Sequence, residues 1–267
     1  MNSTMPFSSP FPAPHFPTRL DGRVALVTGA SSGLGRRFAQ VLASEGAAVV
    51  LAGRRIERLD ALAAQFRAAG GRALPLELDV RDAQAVPAAL ARAEAEFGIV
   101  DILVNNAGVA EGRFATDHTL DEIDSIIGTN FRAPFVLASA VARALIAARK
   151  PGHIVNVASV GAYHYTASSG AALYCASKAA VIRLTEALAM EWARHGINVN
   201  AIAPGVFRTE MTADHLETHG DAVLARMPRK RAGEPAQLDS TLLYLVSPAS
   251  EFVTGICVRV DDAQFPR

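Results

Sequence analysis

From Arg23 onward, short apolar runs alternate with stretches of helical periodicity. Val24-Ala25-Leu26-Val27 contains no polar residue and stops at Thr28-Gly29. A strand without polar alternation is buried on both faces, as in a parallel sheet. A helix is predicted from Leu34 to Glu45, closed by Gly46. The pattern then repeats: strand Ala47–Ala52, helix Ile56–Ala69 stopped by Gly70-Gly71, and strand Ala73–Leu78 ahead of Asp79. A helix from about Ala83 to Phe97 leads to strand Ile102–Val104 and the run Asn105-Asn106-Ala107-Gly108. The second half predicts a long helix, Leu120–Arg149, bent near Pro134. After it come strand Ile154–Val157, helix Leu173–Arg194, strand Val199–Ile202, helix Ala236–Val246 and strand Ile256–Val260. Strands and helices in this order require right-handed crossovers, which place helices on both faces of a seven-stranded parallel sheet. The expected class is α/β, doubly wound.

No internal boundary interrupts residues 19–267, which read as one domain. Residues 1–18 differ: they hold five prolines, no acidic residue and no signal-peptide pattern, and read as a flexible or extended arm. The chain has 267 residues, half of them hydrophobic, enough for a sizeable core. Its zero net charge at pH 7 removes the footprint of a nucleic-acid binder. The best apolar stretch, Val136–Ala148, is interrupted by Arg143, so no membrane span is expected. Two cysteines, Cys175 and Cys257, are too few for a disulfide framework and point to a reducing, cytoplasmic setting. His153, His195 and His219 lack ligand spacing, so no metal is expected.

In such sheets ligands bind beyond the carboxyl ends of the strands, and the unusual residues cluster there. Thr28-Gly29-Ala30-Ser31-Ser32-Gly33-Leu34-Gly35 is a GxxxGxG turn between a strand and a helix. Glycines let the backbone approach a pyrophosphate, which then rests on the helix N-terminus. The run lacks the Gly-Lys-Ser/Thr ending of a triphosphate-binding loop. Tyr174 and Lys178 lie four apart at a helix start, on one face. An ammonium beside a phenol favours the phenolate and tunes it for proton transfer. Such pairs are also common on exposed helices; the position after the fifth strand sets this one apart. Tyr163 and Tyr165 have Ala167 and Ser169 at the matching distance. The end of strand two reads Gly53-Arg54-Arg55, with no carboxylate before Glu57. Arg54 suits a 2′-phosphate, or else both arginines begin a solvated helix.

On the TGxxxGxG loop, Asp79, Asn105-Asn106-Ala107-Gly108, the Tyr174/Lys178 YxxxK pair and Pro204-Gly205 with Thr209, the chain resembles the short-chain dehydrogenase/reductase family from Leu20 to Asp261. The resemblance implies a Rossmann-like fold and catalysis by Asn130, Ser159, Tyr174 and Lys178, with Ser159 bonded to the substrate oxygen. It also implies that the lysine binds the nicotinamide ribose and that Asn130, by its side chain and a water, connects the lysine to solvent. The cofactor residues it implies are Gly29, Ser31, Ser32, Gly33, Leu34, Gly35, Arg54, Asp79, Val80, Asn106, Ala107, Gly108, Tyr174, Lys178, Pro204, Gly205, Val206 and Thr209. Family members with arginine at Arg54 prefer NADP(H), and many carry a further basic residue where Ser32 stands; NADP(H) is expected, with NAD(H) possible. The interval from Ser159 to Tyr174 is longer than usual in the family, leaving Ser168 and Ser169 as alternatives to Ser159.

The expected activity is hydride exchange between NADP(H) and a small-molecule ketone or secondary alcohol. A β-ketoacyl-thioester reductase is the alternative, and a dinucleotide-sensing regulator the non-enzymatic one; the intact catalytic set argues against the latter. Arg226, Arg229, Lys230 and Arg231 form a basic run that could meet an acidic carrier or simply be solvated. Cys175 reads as a packed thiol, and Trp192 as packing, within or between subunits. By resemblance, Leu120–Arg149, Leu173–Arg194 and the last strand pair with other subunits in a homotetramer.

Overall fold

A computed structural model of the chain describes residues 19–110, 112–165, 170–225 and 227–265. The proline-rich arm, Ser168, Ser169 and Arg226 lie outside the described residues.

The apolar runs form seven strands: β1 (Val24–Thr28), β2 (Ala48–Gly53), β3 (Arg72–Glu77), β4 (Ile102–Asn105), β5 (Gly152–Val157), β6 (Ile197–Pro204) and β7 (Cys257–Val260). They lie in the order β3-β2-β1-β4-β5-β6-β7 and pair in parallel throughout. β1, β2, β4, β5 and β6 are buried along their whole length, and β1 and β2 accordingly show no polar alternation. The helices are α1 (Gly33–Ser44), α2 (Ile56–Ala68), α3 (Val86–Phe97), α4 (Leu120–Ile127), α5 (Ala133–Ala148), α6 (Ala172–Trp192), α7 (Ala213–Ala225) and α8 (Asp239–Val246). Phe38 and Leu42 of α1, Leu59 of α2 and Leu242 of α8 build one core layer. Leu137 and Val141 of α5 and Leu188 and Trp192 of α6 build the layer on the opposite face. Trp192 thus packs inside its own subunit, at 7% exposure.

The long predicted helix is real but not uniform. Between α4 and α5 the chain makes one wide turn, Gly128–Arg132, where Ala133 N–H donates five residues back to the Gly128 carbonyl. Pro134 supplies no N–H and crowds the preceding turn, and a widened turn absorbs both effects. Contrary to the expectation from Arg143, Leu120–Ala148 is long and apolar enough to cross a membrane by length and composition, with mean hydropathy 1.5. In this fold Leu137, Val141 and Leu145 of that stretch pack on the sheet. Helix α7 was not foreseen, and α3 starts at Val86 rather than near Ala83.

Strand order reverses between β1 and β4, so the loops after these strands part and leave a crevice. Thr28 pins its floor. Its hydroxyl donates to Val104 O at 3.3 Å and accepts from the N–H groups of Asn106 and Ala107, each at 3.0 Å.

Candidate active site

The crevice is an open cleft of about 300 Å³ at the carboxyl ends of the strands. One wall is the turn from Gly29 to Gly35. Gly33 has φ +53°, and a Cβ at Gly35 would lie 2.3 Å from Gly29 O, so a side chain there would break the turn. The opposite wall carries Val157, Ser159, Tyr174 and Lys178, and Pro204, Gly205 and Thr209 close it from β6. Asp79, Val80, Asn106, Ala107 and Gly108 complete it, so a cradle open to a pyrophosphate continues into a pocket with a titratable pair.

Lys178 is buried, 5% exposed, and its Nζ donates to Val157 O at 2.8 Å. Burial alone brings its ammonium down to about 8. Nζ lies 5.9 Å from the centre of the Tyr174 ring. Burial pushes the Tyr174 phenol above its ordinary value, and the hydrogen bond with Ser159 works the other way. The expectation that the lysine lowers the tyrosine is therefore corrected for the chain on its own: the desolvation of the phenolate is the larger effect. Among the described residues Ser159 reaches Tyr174, and its Oγ also accepts from Gly161 N–H at 3.1 Å.

Asn130 sits in the wide turn, and its side chain is held by three hydrogen bonds. Oδ1 accepts from Val109 N–H at 2.9 Å, while Nδ2 donates to Val109 O at 2.9 Å and to Ser177 Oγ at 3.1 Å. Ser177 Oγ in turn donates to Tyr174 O at 2.7 Å. The amide thus clamps the loop after β4 to α6. Ser177, between the catalytic pair, was missed; its burial within a polar helix start is visible only in the fold.

At the far end of the cleft, Arg54 lines the opening, as expected. Arg55 matters equally. Its Nη2 donates to Ser31 Oγ at 3.0 Å and Ser32 Oγ at 2.7 Å, so it brings a guanidinium to the place where Ser32 itself offers none. Asp79 is paired with Arg81 at 2.7 Å, which holds its carboxyl below the ordinary value. Val206 is gripped from the segment after β7: Gln264 Oε1 accepts from its N–H at 2.7 Å. In the basic run, Arg229 and Arg231 pair with Asp262 at 3.1 and 2.6 Å. Cys175 and Cys257 are free, partly buried thiols, and burial raises both. Among the described residues no three His, Cys, Asp or Glu side chains converge as a metal site.

A reversed-order parallel sheet with a glycine cradle at its switch point and a Tyr–Lys pair facing it defines a dinucleotide-dependent oxidoreductase. The chain belongs to the short-chain dehydrogenase family, whose model matches residues 23–220, and NAD(P)(H) is its cofactor. Gluconate 5-dehydrogenase of Gluconobacter oxydans is 42% identical over 91% of this chain and 94% of its own length. A 3-oxoacyl-(acyl-carrier-protein) reductase of Thermotoga maritima is 35% identical over 91% and 98%. A gluconate 5-dehydrogenase of Burkholderia cenocepacia, solved with NADP and tartrate, superposes with a TM-score of 0.87 at 37% identity, covering 93% of this chain and 97% of that one.

Proposed function

We propose that the protein interconverts a ketone and a secondary alcohol with NADP(H), using Tyr174 as general acid and base, and that it works as a cytoplasmic homotetramer. The observation that carries the reading is the convergence of Ser159, Tyr174 and Lys178 on one wall of the cleft that the glycine cradle opens. NADPH, when bound, supplies the hydride. The protein's part is the proton. A phenol raised by burial is protonated at neutral pH, so Tyr174 can give its proton to the carbonyl oxygen as the alcohol forms. Ser159 Oγ is placed to donate to the same oxygen, where charge develops. The Lys178 ammonium, anchored on Val157 O, favours the phenolate left behind and can reach a ribose hydroxyl.

The preference for NADP(H) is supported by Arg54 and Arg55 at the adenosine end of the cleft. The relative of 42% identity makes sugar acids and their keto forms the first substrates to test. A carrier-bound substrate is less well supported, because Arg229 and Arg231 are paired within the chain. The test is nicotinamide absorbance over a panel of gluconate-type alcohols, ketones and a β-ketoacyl thioester. Tyr174→Phe should lower turnover on the order of 10²-fold or more while leaving NADPH binding measurable by fluorescence. Arg54→Asp should reverse the cofactor order. Undiminished turnover in a folded Tyr174→Phe protein would remove the mechanism.

A further inference from the structure

The carboxylate missing from the end of β2 reaches the same corner from another part of the chain. Glu210 directly follows Thr209, far along the sequence from the phosphate loop. Both its carboxylate oxygens accept from Arg55 Nη1 at 3.0 Å, and Oε1 accepts from Arg58 Nη1 at 2.9 Å. The Arg55 guanidinium is thereby shared between Glu210 and the two serines of the phosphate loop, Ser31 and Ser32. Hydrogen bonds from Ser32, Arg58 and Arg55 hold Glu210 at about 2, so it is ionised across the working range of pH.

A phosphate at this corner and the Glu210 carboxylate are like charges asking for the same guanidinium face. A dinucleotide lacking the 2′-phosphate makes no such demand. We propose that Glu210 is a specificity-determining residue that competes with the cofactor 2′-phosphate for Arg55 and Arg58. The inference rests on the NADP(H) reading above and adds to it: the selectivity of this chain is the phosphate's hold on the arginines less the hold of Glu210. Half of the Glu210 side chain is exposed, so solvent weakens the competition without abolishing it.

The test is fluorescence titration of the full chain and of Glu210→Gln with NADPH, NADH and the fragment adenosine 2′,5′-bisphosphate. Glutamine keeps the size and the hydrogen bond with Ser32 and removes the charge. The ratio of the NADH Kd to the NADPH Kd should rise roughly two- to fivefold, and the bisphosphate should tighten by a similar factor, the range typical of one exposed charge. A residue that merely anchors the chain before α7 would move both dinucleotides together and leave the ratio unchanged, which overturns the proposal. A wild-type chain that prefers NADPH but shows no change of ratio in Glu210→Gln sinks this inference alone. A wild-type chain without preference, together with a raised ratio in the variant, sinks the NADP(H) preference and supports the competition.

Discussion

Replacing Lys178 with methionine should abolish turnover and stabilise the fold. Burial takes the lysine from 10.5 to about 8, and at 1.36 kcal/mol per tenfold change that is about 3 kcal/mol set against folding while the group stays charged. Its one hydrogen bond, to Val157 O, is worth about 1 kcal/mol. Methionine fills a similar volume without a charge, so about 2 kcal/mol of net stabilisation remains. For a chain of this size that corresponds to roughly 4–8 °C in Tm. The effect also has a signature in pH. The unfolded chain keeps the lysine proton until about 10.5 and the folded chain releases it at about 8. Between these values the folded state binds fewer protons, so wild-type stability rises with pH across the window and the gap to Lys178→Met narrows. Scanning calorimetry of both cofactor-free proteins at about pH 7 and about pH 10 reads this directly. A variant that is less stable at neutral pH, or a gap that does not change with pH, would refute the claim that the lysine is held against its own desolvation.

Ser159→Ala should lower kcat roughly 10²-fold, as expected for the loss of one preorganised donor at the reacting oxygen. If Ser168→Ala or Ser169→Ala is the damaging change instead, the lengthened loop supplies the donor and Ser159 does not. Thr185→Val should cost about 1–3 kcal/mol in denaturant unfolding, because Asn156 Nδ2 loses the Thr185 Oγ1 acceptor 2.9 Å away inside the core. It should also lower kcat more than it raises KM, since Asn156 precedes the strand residue that anchors Lys178; stability lost with kcat intact would count against that link.

The sheet was legible because its signal is local. Burial on both faces leaves an unbroken apolar run in β1 and β2, and glycine stops mark where α1 and α2 end. β6 is longer than its sequence predicts, Ile197–Pro204 against Val199–Ile202, because Asn198 interrupts the apolar run at its start and Asn200 repeats the interruption inside it. Those amides donate into the segment before β7, to Ser250 O, Glu251 O and Val253 O, and so pass as core residues. Helix α7 was illegible for the opposite reason: Ala213–Ala225 holds Gly220 and scattered charges and shows no clear apolar face.

The candidate site residues converge on the cleft as their motifs suggest, but their electrostatics are not legible in the sequence. That Tyr174 and Lys178 share a helix face follows from spacing; that Lys178 is buried and Tyr174 partly so, and that burial raises the phenol and lowers the ammonium, depends on what β5 and the wide turn place around them. The support of α6 shows the same limit. Asn105 Nδ2 donates to Asn156 Oδ1 and Asn156 Nδ2 to Thr185 Oγ1, each at 2.9 Å, while Thr185 Oγ1 donates to Val181 O at 2.8 Å. This chain of buried bonds ties β4 and β5 to the helix two turns beyond Lys178 and so fixes its register against Val157. Three polar residues in apolar surroundings read singly as anomalies, and it is their convergence that gives both amide nitrogens and the Thr185 hydroxyl their partners. The adenosine end is the sharpest case. A sequence does not reveal which of two adjacent arginines turns toward the phosphate loop, and the acidic partner of Arg55 arrives 155 positions later. A charge balance closed by residues so far apart belongs to the fold. A cofactor preference inferred from the end of β2 alone therefore counts the attraction and omits its competitor.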